Sequence, residues 1–313
     1  MIKAIASALI GGVFALAAVD VTHAQEGKTV MTDTTIAPAP SKTGRAEING
    51  VNYYYEIRGA GEPLLLLHGG LGRIEMFGPV LSMLAARRTV IGVDLHGHGR
   101  TPLGSRPNID MQAIGDDMAA LLRTLGFGPV DVLGYSFGGM IAFRLAAQHP
   151  EAVRRLVIGS APFARDGFYP EILAAQAHVN EGALEMMKNT PMYHSYAAVA
   201  PDVSEFPKLL NAMGKLMAEP YDWSADARAL KMPVMLVFGD SDMFRPAHII
   251  EFYQLLGGGL RDAGWTREAM SQNRLAILPD LTHYELFAAP ALAETVLPFI
   301  DGESRAKSSA EQK

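Results

Sequence analysis

The stretch VDVLGYSFGGMIAF, residues 130–143, sets a lone hydroxyl, Ser136, where an apolar strand-like run passes into an apolar helix-like run. Gly134 and Gly138 flank it at G-x-S-x-G spacing. Strand, G-x-S-x-G, helix is the pattern of a nucleophile elbow. The turn is so sharp that strand and helix leave no space for side chains at the two glycines, and the serine is held in a strained backbone conformation. That strain keeps the hydroxyl clear of the backbone at a helix N-terminus, where amides and dipole favour an incoming anion. G-x-S-x-G alone recurs by chance; its position between strand and helix makes Ser136 the expected nucleophile.

Outward from the elbow, short apolar runs alternate with helical patterns. PLLLLHGG, TVIGVDLHG, VDVLGYS, RLVIGSA, PVMLVFGD and RLAILPD are continuously apolar, as parallel strands buried on both faces require. In DMQAIGDDMAALLRTLG, residues Met111, Ile114, Met118, Leu121, Leu122 and Leu125 share one helical face, and Gly126 closes it. GGMIAFRLAAQHP is apolar nearly all round, a buried helix ended by Pro150. Before the first of these runs, AEINGVNYYYEIRG predicts a hairpin turning at Asn49-Gly50. The expected fold is α/β: a doubly wound, mostly parallel sheet with its site at the carboxyl ends of the strands. Residues 161–226 break the alternation with helix-like pieces such as EGALEMMKN and FPKLLNAMGKLM, which predicts a small helical cap inserted after the sixth strand.

The two ends of the chain differ from this body. Residues 1–24 carry Lys3, an apolar stretch from Ala4 to Val19, and small residues at Thr22 and Ala24, the pattern of a signal peptide cleaved after Ala24. Sixteen apolar or small residues are short for a bilayer span of roughly 20, although an uncleaved anchor is the alternative. The expected protein is exported, periplasmic or secreted, and free of the membrane after cleavage. Residues 25–44 read as a polar, Pro/Thr-rich spacer, 45–302 as the main domain and 303–313 as a solvated tail. A formal charge of −6 without Lys/Arg clusters argues against nucleic acid as a partner. With no cysteine, thiol catalysis, disulfides and cysteine metal sites are excluded.

A serine nucleophile needs a base, and in this strand order acid and base follow it along the chain. His283, in LAILPDLTHYELF just past the last core strand, stands where a base is required. His248 falls inside a helical pattern and reads as packing or surface; His149, His178 and His194 have no strand-end context. The acid that orients the imidazole comes from PVMLVFGDSDMFRP, where Asp240 and Asp242 are both candidates. Asp242 is preferred, with Asp240 bracing the turn.

With LHGG (residues 67–70), DLHGHGRT (94–101), GYSFGG (134–139), GDSD (239–242) and LTHYELF (281–287), the chain resembles the α/β-hydrolase family from about Glu47 to Asp301. The resemblance implies that Asp242, last in G-x-x-D, is the acid. It also implies an oxyanion hole built from the backbone amides of Phe137 and Gly70. HGG is shorter than the HGGG loop of some lipases, so no lipase assignment follows. The family implies a serine hydrolase acting on a small or medium carboxylic ester or lactone, without cofactor or metal. Carbon–carbon hydrolysis, perhydrolysis, acyl transfer and a non-turnover receptor role reuse the same triad. Dehalogenases and epoxide hydrolases of this fold carry aspartate at the elbow. The sequence leaves oligomeric state open.

Other motifs carry less. Asp94, His96 and His98 stand at a spacing a metal could accept, but no further ligand cluster accompanies them. Pro102 falls where the third glycine of a dinucleotide loop belongs. LLGGGLRDAG (255–264) lacks the GK[ST] ending of a phosphate loop. Met186, Met187, Met192, Met213 and Met217 in the cap read as packing that would also suit an apolar acyl or aromatic group.

Overall fold

The computed structural model describes residues 39–303. The signal-peptide segment, most of the expected spacer and nearly all of the expected tail lie outside them. Eight strands form one sheet: β1 (Lys42–Ile48), β2 (Val51–Arg58), β3 (Pro63–Leu67), β4 (Thr89–Val93), β5 (Val130–Tyr135), β6 (Val153–Gly159), β7 (Val234–Ser241) and β8 (Arg274–Thr282). Their order is β1-β2-β4-β3-β5-β6-β7-β8. The β1–β2 hairpin and the β2–β4 pair are antiparallel; from β4 to β8 every neighbouring pair is parallel.

The hairpin turns at Asn49 (φ 48°) and Gly50 (φ 84°), with Ile48 opposite Val51. Two successive positive φ values are what a tight hairpin turn demands, and Asn-Gly supplies them at low cost. Strand β1 begins at Lys42, inside the stretch expected to be spacer. The polar residues there pair with β2 as an exposed edge, with Lys42 opposite Ile57, so backbone pairing carries the strand beyond its apolar alternation.

Five of the apolar runs, β3, β4, β5, β6 and β7, are buried over most of their length. Strand β8 departs from the expectation of burial on both faces: it lies at the sheet edge, mostly half-exposed, with Ile277 43 % exposed. Helices α1 (Pro79–Ala85), α2 (Met111–Thr124) and α3 (Phe137–Gln148) follow β3, β4 and β5. Asp110 caps α2, its carboxylate accepting from the amides of Gln112 and Ala113. The predicted stripe of α2 is buried from Met111 through Leu122, while Leu125 packs against the core half-buried.

Between β6 and β7 the chain leaves the sheet and forms α4 (Pro170–Gln176), α5 (Leu184–Met187), α6 (Pro191–Ala197), α7 (Phe206–Ala218) and α8 (Ser224–Ala229). Two isolated antiparallel bridges pin this excursion: Ala164 with Asp222 joins its entrance to its exit, and Phe168 with Phe244 ties its start to the loop after β7. Helices α9 (Pro246–Leu255) and α10 (Pro290–Ile300) complete the fold. Among the described residues, no helix is long and apolar enough to cross a membrane.

Candidate active site

The elbow has the geometry its glycines demand. Ser136, at the N-cap of α3, has φ 53° and ψ −119°, a conformation costing roughly 1–3 kcal/mol in a non-glycine residue. A Cβ at Gly134 would lie 2.1 Å from the Gly138 carbonyl oxygen, and one at Gly138 would lie 2.2 Å from that of Leu67. The tight crossing of α3 over β5 and β3 is therefore closed to alanine at both positions. The Ser136 amide donates to Gly159 O at 2.8 Å and its carbonyl accepts from Met140 N at 3.0 Å. These bonds hold the strained residue to β6 and to the helix.

Three expected residues meet at the carboxyl edge of the sheet. Ser136 Oγ lies 3.0 Å from His283 Nε2, and His283 Nδ1 lies 2.9 Å from Asp242 Oδ1. With Nδ1–H donating to the carboxylate, Nε2 is left to accept from the serine hydroxyl. Asp242 is 8 % exposed. Burial alone would raise its carboxyl, but the charge and hydrogen bond of His283, with donors from Ser160 and the Met243 amide, outweigh it and hold the group below the usual carboxylate value. Asp240 points elsewhere: it is exposed and, among the described residues, accepts only the Ser241 hydroxyl, at 3.3 Å.

Gly70 faces the elbow across the β3 loop, since a Cβ built on it would come within 3.7 Å of Phe137 Cβ. Among the described residues, neither the Gly70 nor the Phe137 amide has an acceptor. The buried His68 holds that loop in place. Its Nε2 accepts from Leu95 N at 2.9 Å, which fixes the tautomer, and Nδ1–H donates to Gly69 O at 2.7 Å. The ring thus ties the end of β3 to the end of β4.

Above the serine lies a cavity of about 390 Å³. Gly70, Ser136, Phe137 and His283 line its floor, and the excursion between β6 and β7 supplies much of the rest. Of the five methionines noted in sequence, Met192, Met213 and Met217 line the cavity, whereas Met187 is fully buried in the core. The wall is mostly thioether, aliphatic and aromatic, a lining suited to an apolar chain.

Residues 62–181 match the α/β hydrolase fold family. The chain is also 33% identical, over 248 residues, to a pimeloyl-[acyl-carrier protein] methyl ester esterase of Neisseria meningitidis serogroup B, covering 72% of this chain and 89% of the relative. The chain belongs to the α/β-hydrolase fold family. A second relative, (E)-2-((N-methylformamido)methylene)succinate hydrolase of Acinetobacter baylyi, is 28% identical over 216 residues, covering 67% of this chain and 78% of the relative. Among solved structures, carboxylesterase CesB (YbfK) of Bacillus subtilis superimposes with a TM-score of 0.64 at 18% identity, over 85% of this chain and 94% of that one. The chain is an α/β-fold hydrolase.

Within this α/β hydrolase, two supporting residues escape a reading of the sequence. Ser160, at φ 46°, closes β6 and donates its hydroxyl to Asp242 Oδ2. Tyr135, the residue before the nucleophile, is buried and donates its hydroxyl to the His283 carbonyl, with its ring 5.2 Å from the imidazole. A polar residue ending an apolar run was the only signal for Ser160; its use depends on β6 lying beside β7, which local pattern does not show. His248 packs, as expected, with its ring stacked 4.1 Å from Phe163. Asp94 binds the amides of Ile74 and Arg100, while His96 and His98 bond the carbonyls of Leu103 and His96. Among the described residues, no three His, Asp or Glu side chains are grouped to hold a metal.

Proposed function

We propose that this hydrolase is a serine esterase that cleaves a carboxylic ester or lactone through an acyl-enzyme, and that it works outside the cytoplasm. Ser136 attacks the carbonyl carbon while His283 Nε2 takes its proton. Asp242 keeps the imidazole in the required tautomer and stabilises its charged form. The amides of Gly70 and Phe137 donate to the oxygen as it becomes an oxyanion, a contribution of several kcal/mol when such donors are fixed in advance. His283 then protonates the leaving alcohol. Water, deprotonated by the same nitrogen, releases the acid and regenerates Ser136. In a lactone, the alcohol and acid leave as one molecule.

The observation that carries this reading is the relay of 3.0 Å and 2.9 Å from Ser136 through His283 to Asp242 beneath an apolar cavity. Export is supported by the Lys3, Ala4–Val19 and Ala24 pattern. Hydrolysis of p-nitrophenyl esters from acetate to laurate tests the chemistry: sustained turnover that Ser136→Ala abolishes is expected, and turnover that survives the substitution refutes the nucleophile. Sequencing the N-terminus of exported protein should give a chain starting at Gln25; a start at Met1 refutes cleavage.

A further inference from the structure

The apolar cavity contains polar groups that ester cleavage does not use. Arg165 and Tyr221 both line it. They are 56 positions apart in the chain, but the Ala164–Asp222 bridge lays their backbones side by side, with Arg165 N donating to Tyr221 O at 3.0 Å. Arg165 Nε donates to the Met217 carbonyl at 2.9 Å, which anchors the guanidinium through one of its donors and, among the described residues, leaves those on Nη1 and Nη2 open. Among the described residues no carboxylate pairs with it, whereas Arg88, Arg106 and Arg144 each hold one. Its neighbour Asp166 turns instead toward Arg245 and His248.

Among the described residues, the Tyr221 hydroxyl is buried without a hydrogen-bond partner. Burial pushes the phenol well above its ordinary value, so it remains a donor, and the Arg165 charge is close enough to pull it the other way. Gln176, also on the cavity wall and 8 % exposed, has no side-chain hydrogen bond within the described residues. A buried phenol without an acceptor is costly in an apolar wall, and the half-buried guanidinium beside it keeps its two Nη groups for a ligand. One ligand group satisfies both: a carboxylate, which accepts two parallel bonds from a guanidinium and keeps lone pairs for a phenol.

We propose that Arg165 and Tyr221 form a carboxylate subsite in the ester cavity, and that the preferred substrates are monoesters of dicarboxylic acids, or esters bearing a comparable remote carboxylate. The scissile bond rests on the esterase reading above, but recognition of the anion does not. The remote carboxylate seats on Arg165, its chain lies along Met192, Met213 and Met217, and the ester carbonyl reaches Ser136. Neutral esters occupy the same apolar wall and leave the two donors unpaired.

The test is calorimetric binding of monomethyl and dimethyl esters of adipate through sebacate to the full chain carrying Ser136→Ala, which reads recognition without turnover. At the best chain length the monoester is expected to bind about 10- to 100-fold more tightly, the value of a charge-assisted hydrogen bond or two. Adding Arg165→Met should bring the two affinities together. Arg165→Lys should retain part of the preference, since a point charge replaces a fork, and Tyr221→Phe should lower it by about 3- to 10-fold. Equal affinities at every chain length, or a preference that Arg165→Met leaves intact, overturn the subsite. In that case Arg165 serves to brace the cap through Met217. A preference for monoesters with no cleavage of either ester by the unmutated enzyme overturns the esterase reading and leaves the subsite standing.

Discussion

Lowering the pH should destabilise this protein through its buried histidines. His98 is fully buried, its ring stacked 5.5 Å from that of Phe137 and tilted against that of His68, 5.5 Å away. Burial first, then the neighbouring His68, lowers it from 6.5 to about 3. His248, 2 % exposed against Phe163, is lowered by burial to about 4. Both groups stay neutral in the folded chain but take up protons in the unfolded chain below about 6.5. Their contribution to stability is therefore present above 6.5 and is lost as pH falls toward the folded values. Between pH 7 and about pH 5, each group loses roughly 1.9 kcal/mol, because the unfolded chain gains RT ln(1 + 10^1.5) and the folded chain almost nothing. The pair loses about 4 kcal/mol, a large part of a typical 5–15 kcal/mol. His68 and His96, also lowered by burial, act in the same direction. Urea unfolding at the two pH values measures the loss. His98→Asn will lower stability outright, but its pH-dependent loss should shrink by about 1.9 kcal/mol. An unchanged loss in that variant would show that His98 is protonated in the folded chain and refute the argument.

Three substitutions probe the site. Asp242→Asn should lower kcat by about 10⁴ with the fold retained, because the imidazole loses the acceptor that sets its tautomer, while Asp240→Asn should leave kcat within about 2-fold; the reverse pattern in ester hydrolysis would make Asp240 the acid. Ser160→Ala removes one donor from the buried Asp242 carboxylate and should reduce kcat about 10-fold with KM nearly unchanged, as steady-state kinetics would show. Gly138→Ala drives a Cβ to within 2.2 Å of the Leu67 carbonyl and should cost more than about 3 kcal/mol, read as a fall in Tm or as insoluble protein.

Much of this architecture is written locally. The elbow is legible because two glycines and a serine obey short-range sterics, and His283 because a strand pattern ends just before it. Asp242 was separable from Asp240 by family pattern; structurally the difference is burial, which two neighbouring carboxylates do not disclose in sequence. The edge position of β8 was hidden for a related reason: RLAILPD is as apolar as an interior strand, and only the strand order exposes it. Arg165 and Tyr221 are the extreme case. Neither belongs to a motif, and an isolated bridge across the cap is what brings them together.

The most direct test of the account is stoichiometric labelling of the protein with a fluorophosphonate, with ester hydrolysis followed in parallel and the label mapped by mass spectrometry. The account predicts one label per chain, on Ser136, and activity that falls to zero in proportion to labelling. A label on another residue, or hydrolysis that persists after complete labelling, would contradict it.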